Sequence, residues 1–346
     1  MSEQHVTIVC VPREVFSMTE ESLETLYART STPFNLVYVD GGSPPDVRQY
    51  LEGAARKYNF TLLRTEQYLT PNQARNRGLN YVTTPYVCFV DNDVLVAENW
   101  LEALLQCAQE TGAWAVSPLY FEHMPEQHCL HMAGGKCDIF EDDPNTRYCV
   151  EKHLYGHKLL ADVDEPLKRH ETGLFEFHTV FLDMAVFEAI GPLDEGLMSS
   201  SEHADLSLLI RARGERIVLE PNSAITYAPP KKLTKDDRAF FELRWSEAWN
   251  HASVAHFLEK WNLSSNHGTV RQQYFWLTEH RLFGSRTANL VKMLLGSPVA
   301  RRIRRRIIMR IEPWFNRLKF PLDKHGHTAP FDTSVSYSFS PSSEKS

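Results

Sequence analysis

The sequence predicts an α/β fold, with a mostly parallel sheet and helices on both of its faces. Three observations point there. Short apolar runs alternate with amphipathic helical stretches over the first 120 residues. The length of 346 residues suits one large globular unit with an appendage. The 42% apolar and 23% charged residues are ordinary globular proportions, which exclude a disordered, collagenous or coiled-coil chain.

Val6 to Val11 (VTIVCV) reads as a buried strand. Ser17 and Glu20 have the spacing of a capping box ahead of the helix EESLETLYAR. FNLVYVD is a second strand, ending at Asp40 before a GGSPP turn. PDVRQYLEGAARKY is a helix with proline at its start. FTLLRT is a strand and PNQARNRGLNYV a helix. YVCFVD is a buried strand ending at Asp91, ENWLEALLQCAQETG an amphipathic helix and AWAVSPLYF a fifth strand. Residues 122–175 are less regular, with an acidic patch at Glu141, Asp142 and Asp143. FEFHTVFLDMAVFEAIG then reads as a strand leading into a short helix. EHADLSLLIRARG is a helix closed by Gly214. RIVLEP is a strand, and DDRAFFELRWSEAW and ASVAHFLEKW are helices. Their aromatic residues, Trp245, Trp249 and Trp261 among them, are expected to pack in the core.

Open sheets of this kind bind ligands outside the carboxyl ends of their strands, where Asp40 and Asp91 both fall. Asp40 precedes two glycines. It is either a hydrogen-bond acceptor for a base or ribose, or a turn-forming residue. Asp91-Asn92-Asp93 closes the most apolar strand. Two carboxylates two residues apart can reach one hard divalent cation bridging two phosphates, against the plainer reading of a solvated acidic turn. Arg75 and Arg77 lie early in a helix, where a phosphate or only solvent is their partner. Glu202 and Asp205 share a helix face. One is a general base, or both are first-turn acids favoured by the helix dipole.

In order and spacing these pieces resemble the family 2 glycosyltransferases of the GT-A fold over roughly residues 6–262. The matching motifs are Pro12 after the first strand, Val39-Asp40-Gly41-Gly42-Ser43, Ala74-Arg75-Asn76-Arg77-Gly78-Leu79, Asp91-Asn92-Asp93, and Gly191-Pro192-Leu193-Asp194-Glu195 followed by Glu202-His203-Ala204-Asp205-Leu206. The resemblance implies an inverting, metal-dependent transfer of a sugar from a nucleoside diphosphate donor, with UDP the first expectation, to an acceptor hydroxyl on a glycan, lipid or small molecule. It places Pro12, Asp40, Arg75, Asp91 and Asn92 at the nucleotide. Mg2+ or Mn2+ falls to Asp91 and Asp93, and the acceptor side to Glu202, His203 and Asp205, with Glu202 favoured as base. Surface glycan or glycolipid synthesis is the expected setting. A nucleotidyltransferase, or a non-catalytic nucleotide-sugar or glycan-binding homologue, is the alternative.

The chain departs from the family's pattern in three places. Glu202-His203 stands where the family commonly has Glu-Asp, and Gly41 stands where a second acid often lies beside Asp40. No histidine follows the Glu220-Pro221 strand as a further ligand. His178 and His131 are expected either toward the acceptor wall or in structural roles.

The resemblance divides the chain into a nucleotide-sugar half (residues 1–121), an acceptor half (122–262), a basic helical extension (263–319) and a disordered tail (320–346). The formal charge of -7 argues against a nucleic-acid coat. It is a sum of unlike parts: residues 287–319 hold nine Lys/Arg and one Glu, for +8, which leaves -15 elsewhere. A basic, apolar helix there is expected to lie on an anionic membrane surface, or else to pack on the domain or a second copy. Scattered cysteines without a CxxC pair, no secretory leader and no run of about 18 apolar residues point to a cytoplasmic protein, peripheral at most.

Overall fold

A computed structural model describes residues 5–142, 146–228, 232–284, 303, 307–321 and 336–339. Asp143, most of the basic segment (287–302 and 304–306) and tail residues 322–335 and 340–346 lie outside the described residues.

In chain order the elements are β1 Val6–Val11, α1 Thr19–Arg29, β2 Phe34–Gly41, α2 Pro45–Tyr58, β3 Thr61–Thr65, α3 Pro71–Leu79 and β4 Tyr86–Asp91. Then come β5 Val94–Val96, α4 Trp100–Thr111, β6 Ala115–Glu122, β7 Cys129–Met132, β8 Gly135–Glu141, β9 Arg147–His153, β10 His170–Glu171 and β11 Thr179–Asp183. The remainder are α5 Ala185–Ile190, α6 Glu202–Ala212, β12 Ile217–Tyr227, α7 Lys235–Arg244, α8 Glu247–Lys260, α9 Gly268–Arg281, α10 Met309–Lys319 and β13 Ser336–Phe339.

One sheet runs β10-β12-β6-β11-β4-β1-β2-β3-β13. Strands β4, β1, β2 and β3 are mutually parallel, as the alternation of strand and helix requires. β11 enters antiparallel between β4 and β6. Every residue of β1 is buried, because helices cover both faces. Ile8 and Cys10 pack with α1, α2 and α4, through Leu23, Leu51 and Trp100 among others. Val9 and Val11 pack on the other side with Ala74, Val186 and Leu206 of α3, α5 and α6. The sheet takes strands from both sides of residues 121 and 122, and β8–β9 form a separate hairpin.

Gly78 sets how close α3 lies to the sheet. A Cβ there would sit 2.3 Å from Val9 Cγ1 and 3.3 Å from Val39 Cγ2. The helix backbone therefore rests directly on β1 and β2, and Arg75, one turn earlier, reaches the strand ends.

Local signals differ from expectation in three places. Ser17 and Glu20 make no capping box: α1 starts after Met18 with no side-chain cap. The Ser17 backbone N–H instead donates to Asp237, at 3.0 Å. Among the described residues capping boxes form at Thr70 with Gln73 on α3 and at Thr234 with Asp237 on α7. The strand read as RIVLEP continues to Tyr227, because after a register shift beyond Leu219 it pairs with β6 again from Ala224 to Tyr227. Ser336–Phe339, within the stretch expected to be disordered, pairs antiparallel with β3. Trp245 and Trp249 are buried as expected. Gly214 takes φ +79° just beyond α6, which suits its closing role.

Candidate active site at the carboxyl ends of β1 and β4

β4 delivers Asp91 at its last residue, level with Val11 of β1. β11 begins where β4 ends, since it runs antiparallel, and the Asp91 N–H donates to the His178 carbonyl at 3.0 Å. The sheet order thus places His178 beside the aspartates, 87 residues beyond Asp91 in sequence but adjacent to it in space through backbone pairing.

Asp91 is fully buried between two guanidiniums. Arg75 Nη2 donates to its Oδ1 at 3.1 Å and Arg13 Nη1 to its Oδ2 at 3.2 Å. Burial pushes the Asp91 carboxyl upward despite both arginines. Arg75 is itself buried, lies 3.9 Å over the Phe177 ring and bonds Asn72.

Asp93 differs from its neighbour. It is 0% exposed, and neither carboxylate oxygen has a hydrogen-bond partner. Burial, then the charges of Asp91 and Glu14, push its carboxyl well above the ordinary range. His178 is also buried, with Nδ1 unpartnered and 3.6 Å from Asp91 Oδ2. Burial and then the Arg13 charge hold His178 well below the usual imidazole range, which keeps it neutral with a lone pair to offer. One ligand atom from each of Asp91, Asp93 and His178 lies within 4.8 Å of the others. Two carboxylates and one neutral imidazole suit a divalent cation, and the orphaned Asp93 oxygens fit one.

Asn92 sits between these acids but holds the adjoining loop. Its Oδ1 accepts from the Arg13 N–H at 3.0 Å, and its amide donates to the Val15 carbonyl at 2.7 Å. Asp40 is buried with both oxygens engaged: Ser43 N–H and Ser43 Oγ donate to it at 2.9 Å each, and the Arg64 guanidinium pairs with it. Pro12 packs against Gly41, where a Cβ would meet Pro12 Cγ at 3.1 Å.

Glu202, the first residue of α6, is buried near both Arg244 and Arg75. Its Oε1 lies 3.4 Å from Arg244 Nη2 and 4.0 Å from Arg75 Nη1, while Oε2 has no partner. Arg75 therefore connects Asp91 to Glu202. His203 faces elsewhere: its Nε2 lies 3.1 Å from Glu151 Oε1 and 3.7 Å from Glu176 Oε1. Burial opposes charge on His203, but Glu176 and Glu151 outweigh it and lift the pKa to about 9. An imidazolium has no lone pair with which to accept a proton. Asp205 bonds Lys260 Nζ at 2.9 Å and Trp261 Nε1 at 2.8 Å, which anchors α6 to α8.

Arg13, Glu14, Tyr227 and Arg244 join the site without having been singled out for it from sequence, and His178, expected at the acceptor wall or in a structural role, lies beside Asp91. The signal for the first two was a charged pair directly after an apolar strand. Tyr227, at the end of β12, lies tilted against His178 with ring centroids 4.4 Å apart and donates to Glu14 at 2.9 Å. Burial pushes Glu14 upward, but His280, Arg13 and Tyr227 hold it down to about 2.

The family model of glycosyl transferase family 2 matches residues 7–147. A putative polypeptide N-acetylgalactosaminyltransferase 13 of Drosophila melanogaster is 29% identical over 123 residues, covering 32% of this chain and 22% of that protein. The succinoglycan biosynthesis protein ExoM of Rhizobium meliloti (strain 1021) is 30% identical over 115 residues, covering 32% and 37%. The match thus spans about a fifth to over a third of these relatives. Among solved structures, GalNAc-T7 with UDP, GalNAc and Mn2+ superposes with a TM-score of 0.53 at 15% identity, over 85% of this chain and 58% of that one. The mannosyltransferase PcManGT from Pyrobaculum calidifontis, in complex with GDP-Man and Mn2+, gives 0.50 at 14% identity, over 91% and 85%. Residues 7–147 are thus similar to glycosyl transferase family 2, and the fold is the GT-A fold of the solved glycosyltransferases.

Proposed function

We propose that the protein is an inverting, metal-dependent glycosyltransferase that moves a sugar from a nucleoside diphosphate donor, UDP first among them, to an acceptor hydroxyl. The observation that carries this is Asp93: two buried carboxylate oxygens without a partner, beside Asp91 and His178. These three residues would hold Mg2+ or Mn2+, which when bound neutralises a diphosphate and stabilises charge on the departing nucleotide. Arg13 and Arg75 orient Asp91 from either side. Asp40, with Ser43 and Arg64, forms the polar end of β2 proposed for the base. Glu202 keeps Oε2 open to take the proton of the acceptor hydroxyl. The hydroxyl oxygen then bonds the anomeric carbon, and the electron pair of the broken bond leaves with the diphosphate.

Thermal unfolding with nucleotide sugars tests this. A bound donor raises the midpoint by mass action. At least one UDP- or GDP-sugar is expected to raise Tm in Mn2+ and not in EDTA. No shift with any nucleotide sugar would contradict the reading.

A second proposal concerns the basic extension. α10 docks by one face: the Glu247 N–H donates to Asn316 at 2.8 Å, and Arg281 pairs with Glu312 at 2.8 Å. The other face leaves Ile311, Trp314, Phe315 and Leu318 exposed, Trp314 at 60% and Phe315 at 58%. Arg310 and Arg317 flank it, and neighbouring α9 exposes Phe275 and Trp276. Aromatic residues ringed by cations suit an anionic lipid interface, and we place the enzyme peripherally at the cytoplasmic face of a membrane on that basis. Among the described residues no helix is long and apolar enough to cross one. The full chain is expected to sediment with phosphatidylglycerol vesicles and not with phosphatidylcholine vesicles, and Trp314→Ser with Phe315→Ser to lose most of that binding. A full chain that ignores anionic vesicles sinks this proposal.

A further inference from the structure

A second set of ligand atoms lies apart from the aspartates. Glu151 and His153 are two residues apart on β9, so both side chains leave the same face of the hairpin. Glu176 precedes β11, and its backbone is pinned at both ends of the peptide: its N–H donates to the Tyr120 hydroxyl and its carbonyl accepts from it, both at 3.0 Å. His203 is the second residue of α6. Three separate parts of the fold therefore converge on one point.

The distances are those of a coordination shell. His153 Nε2 lies 3.2 Å from Glu151 Oε1 and 3.1 Å from Glu176 Oε1. His203 Nε2 lies 3.1 Å and 3.7 Å from the same two oxygens. Four ligands tetrahedrally placed about an ion at ~2.0–2.1 Å stand about 3.3–3.4 Å apart, inside that spread. All four atoms lie within 4.8 Å of one another. Two imidazole nitrogens with two carboxylate oxygens are the borderline set that zinc-type ions take, richer in nitrogen than the one-histidine set of Asp91, Asp93 and His178. Once each imidazole gives up its proton on binding, two carboxylates and two neutral imidazoles also balance a dication in charge.

We propose that Glu151, His153, Glu176 and His203 form a second metal site, for a zinc-type divalent ion, distinct from Asp91, Asp93 and His178. The ion would clamp the β8–β9 hairpin to α6. It would fix the start of the helix that carries Glu202, a consequence that rests on the function proposed above; the binding itself does not.

The test counts metal on the full chain after equilibration with Zn2+ and dialysis. Wild type and Asp93→Asn are each expected to retain one zinc that His203→Ala loses. Because His203 is packed into α6, His153→Gln on the hairpin serves as a second variant, expected to weaken retention at least ~10-fold with an unchanged circular dichroism spectrum. Co2+ in wild type is expected to give the visible bands of a four-coordinate site. Failure of wild type to retain zinc overturns the proposal. So does zinc retained by both histidine variants, or zinc lost in Asp93→Asn, which would put the ion at the aspartates instead.

Discussion

Asp93→Asn is expected to lower Mn2+-dependent sugar transfer by about 1,000-fold or more, since a bound metal's charge stabilisation is worth several kcal/mol at ~1.4 kcal/mol per decade. The same change is expected to raise the Tm of the protein in EDTA. Without an ion, Asp93 is a buried carboxylate with no partner beside Asp91 and Glu14. A carboxyl whose pKa is raised on folding takes up a proton, so its contribution to stability falls as pH rises above the ordinary carboxylate range. The neutral amide removes that cost. A gain in ion-free stability together with a loss of turnover separates a functional carboxylate from a structural one. Transfer left intact, or a Tm that falls in EDTA, would count against the assignment.

Glu202→Gln is expected to lower kcat by about 100- to 10,000-fold while leaving donor affinity within a few-fold, the signature of a lost general base. The amide keeps the size of the side chain and an oxygen toward Arg244, which lies 3.4 Å away in the wild type. His203→Gln is expected to retain much more activity, because His203 faces Glu151 and Glu176. Product anomers read by NMR check the stereochemistry: inversion is expected. Equal losses in both variants, donor binding lost with Glu202, or retained configuration would each overturn the role given to Glu202.

The nucleotide half of the fold was legible because each of its elements signals locally. β1 and β4 are short apolar runs, and Pro71 and Gly78 bound α3 through a fixed φ and a close approach to Val9. The two aspartates were legible for the same reason, as charges closing an apolar strand. His178 was not readable as a companion of Asp91. That closeness follows from β11 entering antiparallel beside β4, a pairing between segments 87 residues apart. The same holds for Glu151 and Glu176 around His203, and for Arg244, which reaches Glu202 from α7. Glu202 and Asp205 share a helix turn, and sequence could not tell which was free. The structure separates them: Lys260 and Trp261 take the oxygens of Asp205, while Glu202 Oε2 has no partner. The false capping box at Ser17 shows the converse, a local signal overridden when Asp237 supplies the partner from α7.

The most direct measurement is Mn2+ binding to the full chain by electron paramagnetic resonance, with and without UDP or GDP. The account predicts one Mn2+ whose affinity rises when the matching nucleoside diphosphate is added, by reciprocal linkage, and which Asp93→Asn abolishes. Mn2+ binding indifferent to both nucleotides, or unchanged in Asp93→Asn, would contradict it.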